Sequence, residues 1–266
     1  MKRLFLLFAF ACFLTSCNVT ETIVFDENMS GNYVTGFDMS PMMEYAAANR
    51  PPSQEEPKME KMDTTIVFND LYETYKDSIA SLSDEQRAEL EKLKGMVLDI
   101  KMDEEKNIFK FTMSKEFKKF DELKTIYEQT DEAMNYVKNI GNKDGQAPKE
   151  QMDELTKTEE VSYSFENNTF SRFMPVTLTS DDIENVVSEE MEEEDDGMKD
   201  MFMMQFEEML SNAYYTLVYT FPKKVKSVSS ADAVISEDGK TVTYKVPWNA
   251  INSDASIMNL DVVLED

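Results

Sequence analysis

The alternation of apolar and polar positions predicts strands at both ends of the chain and helices between them. Val19-Thr20-Glu21-Thr22-Ile23-Val24-Phe25 is followed by the turn residues Asn28-Met29-Ser30-Gly31, and then by Tyr33, Thr35, Phe37 and Met39 at every second position. Period-two patterning beside a glycine-containing turn is the signature of a β-hairpin. In the last quarter Tyr215, Leu217, Tyr219 and Phe221 alternate, Asp238-Gly239 marks a tight turn, and Val242, Tyr244, Val246 and Trp248 alternate again. Ile257 to Leu264 closes the chain as a further predicted strand. Asp-Gly between alternating segments is a strong hairpin signal, because both turn residues tolerate a left-handed backbone.

The centre reads differently. Thr64 to Phe68 is a short strand candidate and Asp70 to Ala80 a helix. Ser83 with Gln86 three residues on can form a capping box, and Gly95 suits a helix end. Met96 to Met102 and Ile108 to Met113 read as strands joined through the polar segment DEEKN. Phe120, Leu123, Tyr127, Thr130, Met134 and Val137, spaced by threes and fours, predict a longer helix with one buried stripe. A loop from Gly141 to Pro148 precedes a second hairpin, Val161 to Phe165 and Thr169 to Met174, turned at Asn167-Asn168; an acidic helix is expected after Ser180. The expected class is α+β: an antiparallel sheet from the N- and C-terminal β segments, with a helix-rich central insertion. The expected divisions are a leader over 1–16, an N-terminal hairpin and short helix over 17–48, a linker over 49–62, a central helical and hairpin region over 63–210, and a C-terminal β region over 211–266.

The leader follows from the first residues. Met1, Lys2 and Arg3 are followed by the uncharged run LFLLFAFACFL from Leu4 to Leu14. That is a signal-peptide core, well short of the roughly 20 residues a spanning helix needs. Leu14-Thr15-Ser16-Cys17 resembles the bacterial lipobox. That resemblance implies cleavage before Cys17, a diacylglyceryl group on its thiol and a further acyl chain such as palmitate on its new amino end. Each buried methylene contributes about 0.8 kcal/mol, so one chain holds weakly and two or three hold firmly. Cys12 leaves with the leader and Cys17 is consumed by lipid, so the mature domain folds without disulfides. Asn18 follows Cys17 and no acidic cluster comes directly after it, unlike inner-membrane retention or surface-export signals; the expected site is the periplasmic face of the outer membrane.

Removal of Lys2 and Arg3 takes the formal net charge from −26 to −28 and leaves 250 of the 266 residues. Such acidity excludes nucleic acid as a partner and disfavours adsorption to anionic headgroups, both of which require clustered Lys and Arg. The segment IVFDENMSGNY at the start and TLVYTFPKKVKSV and DGKTVTYKVPWNA near the end resemble envelope lipoproteins of Bacteroidota and, more distantly, the LppM-like lipoprotein domain. The resemblance implies a small α+β domain with lipid binding proposed for some relatives, and it supplies no catalytic residues.

Candidate chemistry is sparse. The chain has no histidine, which excludes Ser-His-Asp and Cys-His catalysis and histidine metal sites. Seven glycines form neither a phosphate-cradling loop nor a dinucleotide fingerprint. The run EEMEEEDD over 189–196 is rich in oxygen ligands, but aligning Gly197 with the glycine of a calcium loop puts Met203 where a bidentate Glu belongs. No metal and no cofactor is expected. Met198, Met201, Phe202, Phe206 and Met209 fall at helical spacing and form a candidate apolar contact surface, with core packing, a ligand groove or copper(I) as its readings. The aromatic strand 214–221 is a second candidate surface. Asp63-Thr64-Thr65 and Asp77-Ser78-Ile79 resemble the O-glycosylation sites of Bacteroidota envelope proteins, with Thr64 and Ser78 as acceptors. The expected function is therefore non-enzymatic: a lipid-anchored binding or scaffolding component whose partners are the membrane, through its N-terminal lipid, and an envelope protein. The alternatives are a carrier of a lipid or other apolar ligand, and a carboxylate-dependent hydrolase, whose two acids would face each other about 5 to 10 Å apart.

Overall fold

A computed structural model describes residues 18–41, 61–127, 129–130, 161–174 and 213–266. Over these residues the fold is α+β and strand-dominated, with a large sheet built on the N- and C-terminal strands. Twelve strands are described: β1 (Asn18–Phe25), β2 (Gly31–Asp38), β3 (Met62–Val67), β4 (Met96–Asp103), β5 (Ile108–Phe117), β6 (Ser162–Glu166), β7 (Thr169–Phe173), β8 (Tyr214–Thr220), β9 (Val225–Val228), β10 (Val234–Ile235), β11 (Thr241–Pro247) and β12 (Leu260–Leu264). They form an eight-stranded sheet in the order β10-β11-β8-β1-β2-β5-β4-β3 and a four-stranded sheet in the order β6-β7-β12-β9. Every pairing is antiparallel except that of β1 with β8, which is parallel.

The opening hairpin forms as its alternation predicts, with Glu21 opposite Thr35 and Ile23 opposite Tyr33. Its turn is fixed by Asp26, whose carboxylate accepts from the backbone N–H groups of Asn28 and Ser30 and from the Ser30 hydroxyl. Asn167 and Asn168 both adopt positive φ, 50° and 60°, which turns β6 into β7. Gly239, at φ 76°, does the same work before β11.

One face of the large sheet carries the core, in two parts. Over β1, β2, β8 and β11 it packs against the small sheet, burying Ile23, Phe25, Tyr33, Leu217, Tyr219, Val242 and Tyr244 against Phe170, Leu260, Val262 and Leu264. The helical segment 122–127 completes this core with Leu123, Ile126 and Tyr127, the predicted stripe; Met134 and Val137 lie outside the described residues. Over β3, β4 and β5 a second cluster forms from Phe68, Leu93, Met96, Leu98, Ile100, Phe111 and Met113.

Several local boundaries differ from expectation. Phe68 opens helix Phe68–Thr74 instead of ending a strand, and the helix predicted over 70–80 breaks at Tyr75 before resuming at Lys76–Ala80. Trp248 does not continue the alternation of β11: Pro247 ends the strand, and Trp248 starts helix Trp248–Ser253. Ile257 lies in a 3₁₀ turn, Ala255–Met258, so β12 begins only at Leu260. Phe68 is placed by burial in the second apolar cluster, which periodicity does not register, whereas Pro247 is a local stop and Ile257 stands exposed in a turn capped by Asp254, whose carboxylate accepts from the Ser256 N–H. The capping box of helix Asp84–Lys92 forms in full, with Ser83 and Gln86 bonded reciprocally. Gly95 takes φ 79° three residues after that helix ends.

Gly31 marks where the hairpin has no room: a Cβ there would lie 1.9 Å from the carbonyl oxygen of Val24 and 3.1 Å from the Phe117 ring. Gly31→Ala is expected to destabilise the domain by about 2 kcal/mol or more, since the obstruction is backbone that cannot rotate away. Urea unfolding of the mature chain measures it; a change within about 0.5 kcal/mol would contradict the close approach.

Candidate functional site

Two features of the large sheet are candidates for function: a charged cluster sealed in the core on its inner face, and a threonine-lined groove on its outer face.

The cluster centres on Glu21. It sits in phase with Ile23 and Phe25 on β1, so the alternation that buries those residues buries a carboxylate with them; Glu21 is fully buried. Arg172 occupies the equivalent position on β7, in phase with Phe170 and Met174. Its guanidinium reaches Glu21 with Nε 3.4 Å from Oε1 and Nη2 3.3 Å from Oε2, while Nη1 donates to the carbonyl of Met258 at 3.1 Å. Three tyrosines complete the shell: Tyr163 donates to Oε1 at 3.0 Å, Tyr215 to Oε2 at 3.1 Å, and Tyr219 to Oε1. The carboxylate thus receives donors from β6, β7 and β8 together.

The electrostatics follow from burial. Desolvation, reinforced by the Glu21 charge, holds the Tyr33, Tyr163, Tyr215 and Tyr219 phenols well above their ordinary range. Burial works against the Arg172 charge, but the adjoining carboxylate outweighs it and keeps the guanidinium above its usual range. An acceptor whose lone pairs are filled and whose surroundings exclude water has no free position for a substrate proton. The cluster acts as a clamp between the sheets.

The groove lies on the opposite face. Residues out of phase with the core there include Thr20 and Thr22 on β1, Thr112 on β5, Thr216 and Thr220 on β8, and Thr241 and Thr243 on β11. Thr220 and Thr241 join hydroxyls across β8 and β11 at 3.0 Å. A cavity of about 370 Å³ opens where Gly36 contributes no side chain, bordered by Asn18, Thr20, Thr22, Val34, Asp38, Lys110 and Thr112. Asp38 and Lys110 pair at 2.7 Å. Burial opposes the Asp38 charge, but Lys110 and Ser40 outweigh it and hold its carboxyl below the ordinary value. The groove offers hydroxyls and one ion pair, a set that can hydrogen-bond a polar ligand.

Of the residues singled out from sequence, Thr64 on β3 and Ser78 in helix Lys76–Ala80 are both exposed. Cys17, the acidic run 189–196 and the surface Met198, Met201, Phe202, Phe206 and Met209 lie outside the described residues. The inner face of the aromatic strand is not a contact surface, since Leu217, Tyr219 and Phe221 are buried where the small sheet packs on β8; Tyr214, on the other face, is partly exposed. Sequence reasoning passed over Glu21 and Arg172. The signal was available, as each is a charged residue in register with a strand's apolar stripe.

No protein-family model matches the chain, and no curated protein matches it. Among solved structures, the folded domain of LppM from Mycobacterium tuberculosis, determined by NMR, aligns over 96% of this chain and 95% of its own, at a TM-score of 0.39 and 8% identity. That is a distant likeness. It carries no site residue across, and the resemblance to Bacteroidota lipoproteins rests on the sequence segments alone.

Removing one member of the buried pair leaves the other charge uncompensated, so Glu21→Gln and Arg172→Met are each expected to cost about 3–5 kcal/mol. The double variant Glu21→Leu with Arg172→Met should cost clearly less than the two single changes together; additive losses would show that the groups do not act as a pair. The tyrosines give a second test. A phenol whose folded pKa is raised contributes stability that is complete below its unfolded value of 10.0 and is lost as pH rises towards the folded value. Tyr33, Tyr163, Tyr215 and Tyr219, four of eleven tyrosines, should therefore ionise only with alkaline unfolding. Phenolate absorbance rising smoothly for all eleven, ahead of the loss of secondary structure, would contradict the sealed cluster.

Proposed function

We propose that this chain is a lipid-anchored component of the cell envelope with a non-enzymatic binding or scaffolding role, held by acylated Cys17 at the periplasmic face of the outer membrane. The observation that carries the reading is the start of β1 at Asn18, the residue that follows the lipobox cysteine. β1 lies inside the large sheet, between β8 and β2. Attachment at Cys17 would therefore hold a rigid domain against the bilayer with no flexible spacer.

The binding reading is favoured over catalysis by the saturated state of Glu21. It is favoured over carriage of an apolar ligand by the way aromatic rings fill the space between the sheets. Phe25 contacts Phe117, Phe120, Phe170 and Phe221 at centroid distances of 5.3–6.1 Å. The threonine-lined groove is then the binding surface, suited to a polar segment of an envelope protein.

Growth of the producing bacterium with an alkyne analogue of palmitate is expected to label the wild-type protein and leave Cys17→Ala unlabelled and unprocessed. Labelling of both would overturn the anchor. Thr64 and Ser78, both exposed, are the proposed O-glycosylation acceptors. The intact mass of the protein from that bacterium should fall by a glycan on Thr64→Ala and again on Ser78→Ala, whereas a wild-type mass equal to polypeptide plus lipid would remove the proposal.

A further inference from the structure

The strand register brings one end of the large sheet together around Asn18. Asn18 stands beside Asp38 and Tyr214, Asp38 beside Lys110, and Tyr214 beside Pro247, which leads into Trp248. One position further in lie Phe37, which stacks on Phe111 at 4.6 Å, and Tyr215, which stacks on Trp248 at 6.3 Å. Phe109 sits at the same end, its N–H bonded to the Ser40 hydroxyl and its carbonyl accepting from Met39. Phe37, Phe109, Tyr214 and Trp248 are each partly exposed, and Phe37, Phe109 and Trp248 pack against the two apolar clusters. Two lysines flank them. The ammonium of Lys245 lies 3.8 Å from the centroid of the Tyr214 ring, and Lys110 pairs with Asp38.

The opposite end of the same strands is unlike this one. There Phe25, Phe117 and Phe221 are covered by the core, and the turns present Asp26, Glu27, Asn28, Lys118 and Lys223 to water. The two ends differ in their aromatics, which are partly exposed at the Asn18 end and buried at the other, while both carry charged turns: Glu105 and Lys106, between β4 and β5, stand exposed at the Asn18 end. Partly exposed Trp and Tyr, flanked by Lys, match the headgroup region of a bilayer: the ring bodies enter apolar surroundings while polar tips and ammonium groups stay hydrated.

We infer that the Asn18 end of the large sheet, with Phe37, Phe109, Tyr214, Trp248, Lys110 and Lys245, seats against the interfacial layer of a phospholipid bilayer. The inference rests on the proposed anchor at Cys17, and covalent geometry selects this end. Cys17 immediately precedes Asn18 in the sequence, so its acylation would bring this rim to the lipid and leave the Asp26 turn at the far end of β1. Membrane contact here does not depend on net charge, which would repel anionic lipid; it depends on covalent proximity and on aromatic edges.

Trp248 is the only tryptophan in the chain, so its fluorescence reports this rim alone. The test uses the full lipidated mature protein in vesicles of phosphatidylethanolamine and phosphatidylglycerol, with and without brominated acyl chains, and measures flotation on the same samples. The expected result is that the protein floats and that brominated lipid reduces Trp248 emission by about twofold, as for a ring at headgroup depth. Flotation with unchanged emission would overturn the seating while leaving the anchor intact. Failure to float would overturn the anchor and the seating with it.

Discussion

The structure depends on one constraint: a carboxylate and a guanidinium, sealed between two sheets, must satisfy each other completely. Desolvating two full charges costs several kcal/mol apiece, and their attraction offsets this only when geometry and further hydrogen bonds are good. Here the small sheet supplies Arg172 and Tyr163, the large sheet supplies Glu21, Tyr215 and Tyr219, and the turn after the last helix adds the Met258 carbonyl. Apolar packing between the sheets is non-directional and by itself would allow a change of register. A charged pair with directional tyrosine donors does not tolerate it, and a one-residue slip of β1 would move Glu21 to the other face. The cluster contributes uniqueness of arrangement more than net stability.

The two faces of the large sheet divide the work. The inner face spends its polarity in that cluster and is otherwise aromatic and aliphatic, covered by the small sheet at one side and by the second apolar cluster around Phe68 at the other. The outer face is hydroxyl-rich, with threonines at neighbouring positions on β1, β8 and β11. Threonine suits such a surface: its branched Cβ favours the strand, and its hydroxyl keeps the face wet. A face of this composition can bind without the aggregation risk of an apolar one.

Much of the fold was legible in the residues because its turns are chemically explicit. Asp26 to Gly31, Asn167-Asn168 and Asp238-Gly239 each specify a hairpin, and the Ser83-Gln86 box a helix start, through local hydrogen bonds or left-handed backbone. What escaped is non-local. Nothing near β1 announces that its parallel neighbour is β8, and nothing near Phe68 reveals that it packs into a cluster with Phe111 and Met113 instead of ending a strand. The aromatic stripe of β8 invites reading as a surface until the small sheet is seen to cover it. Glu21 and Arg172 were overlooked for the same reason: each is a lone charge until residues 151 positions apart are brought together. The groove is harder still to foresee, since it exists where Gly36 leaves a gap among side chains from three strands.

The parallel pairing of β1 with β8 sets an order of events for a chain made from its N-terminus. Asn18 to Val24 must wait for residues 214–220 before the middle of the large sheet can close. A ribosome will have released most of the polypeptide before that partner exists, and contacts of such long separation form slowly even then. With the proposed export leader this delay would be useful, because a translocation channel passes extended chain. A topology that postpones its central strand to the last fifth of synthesis keeps itself threadable for as long as the crossing requires.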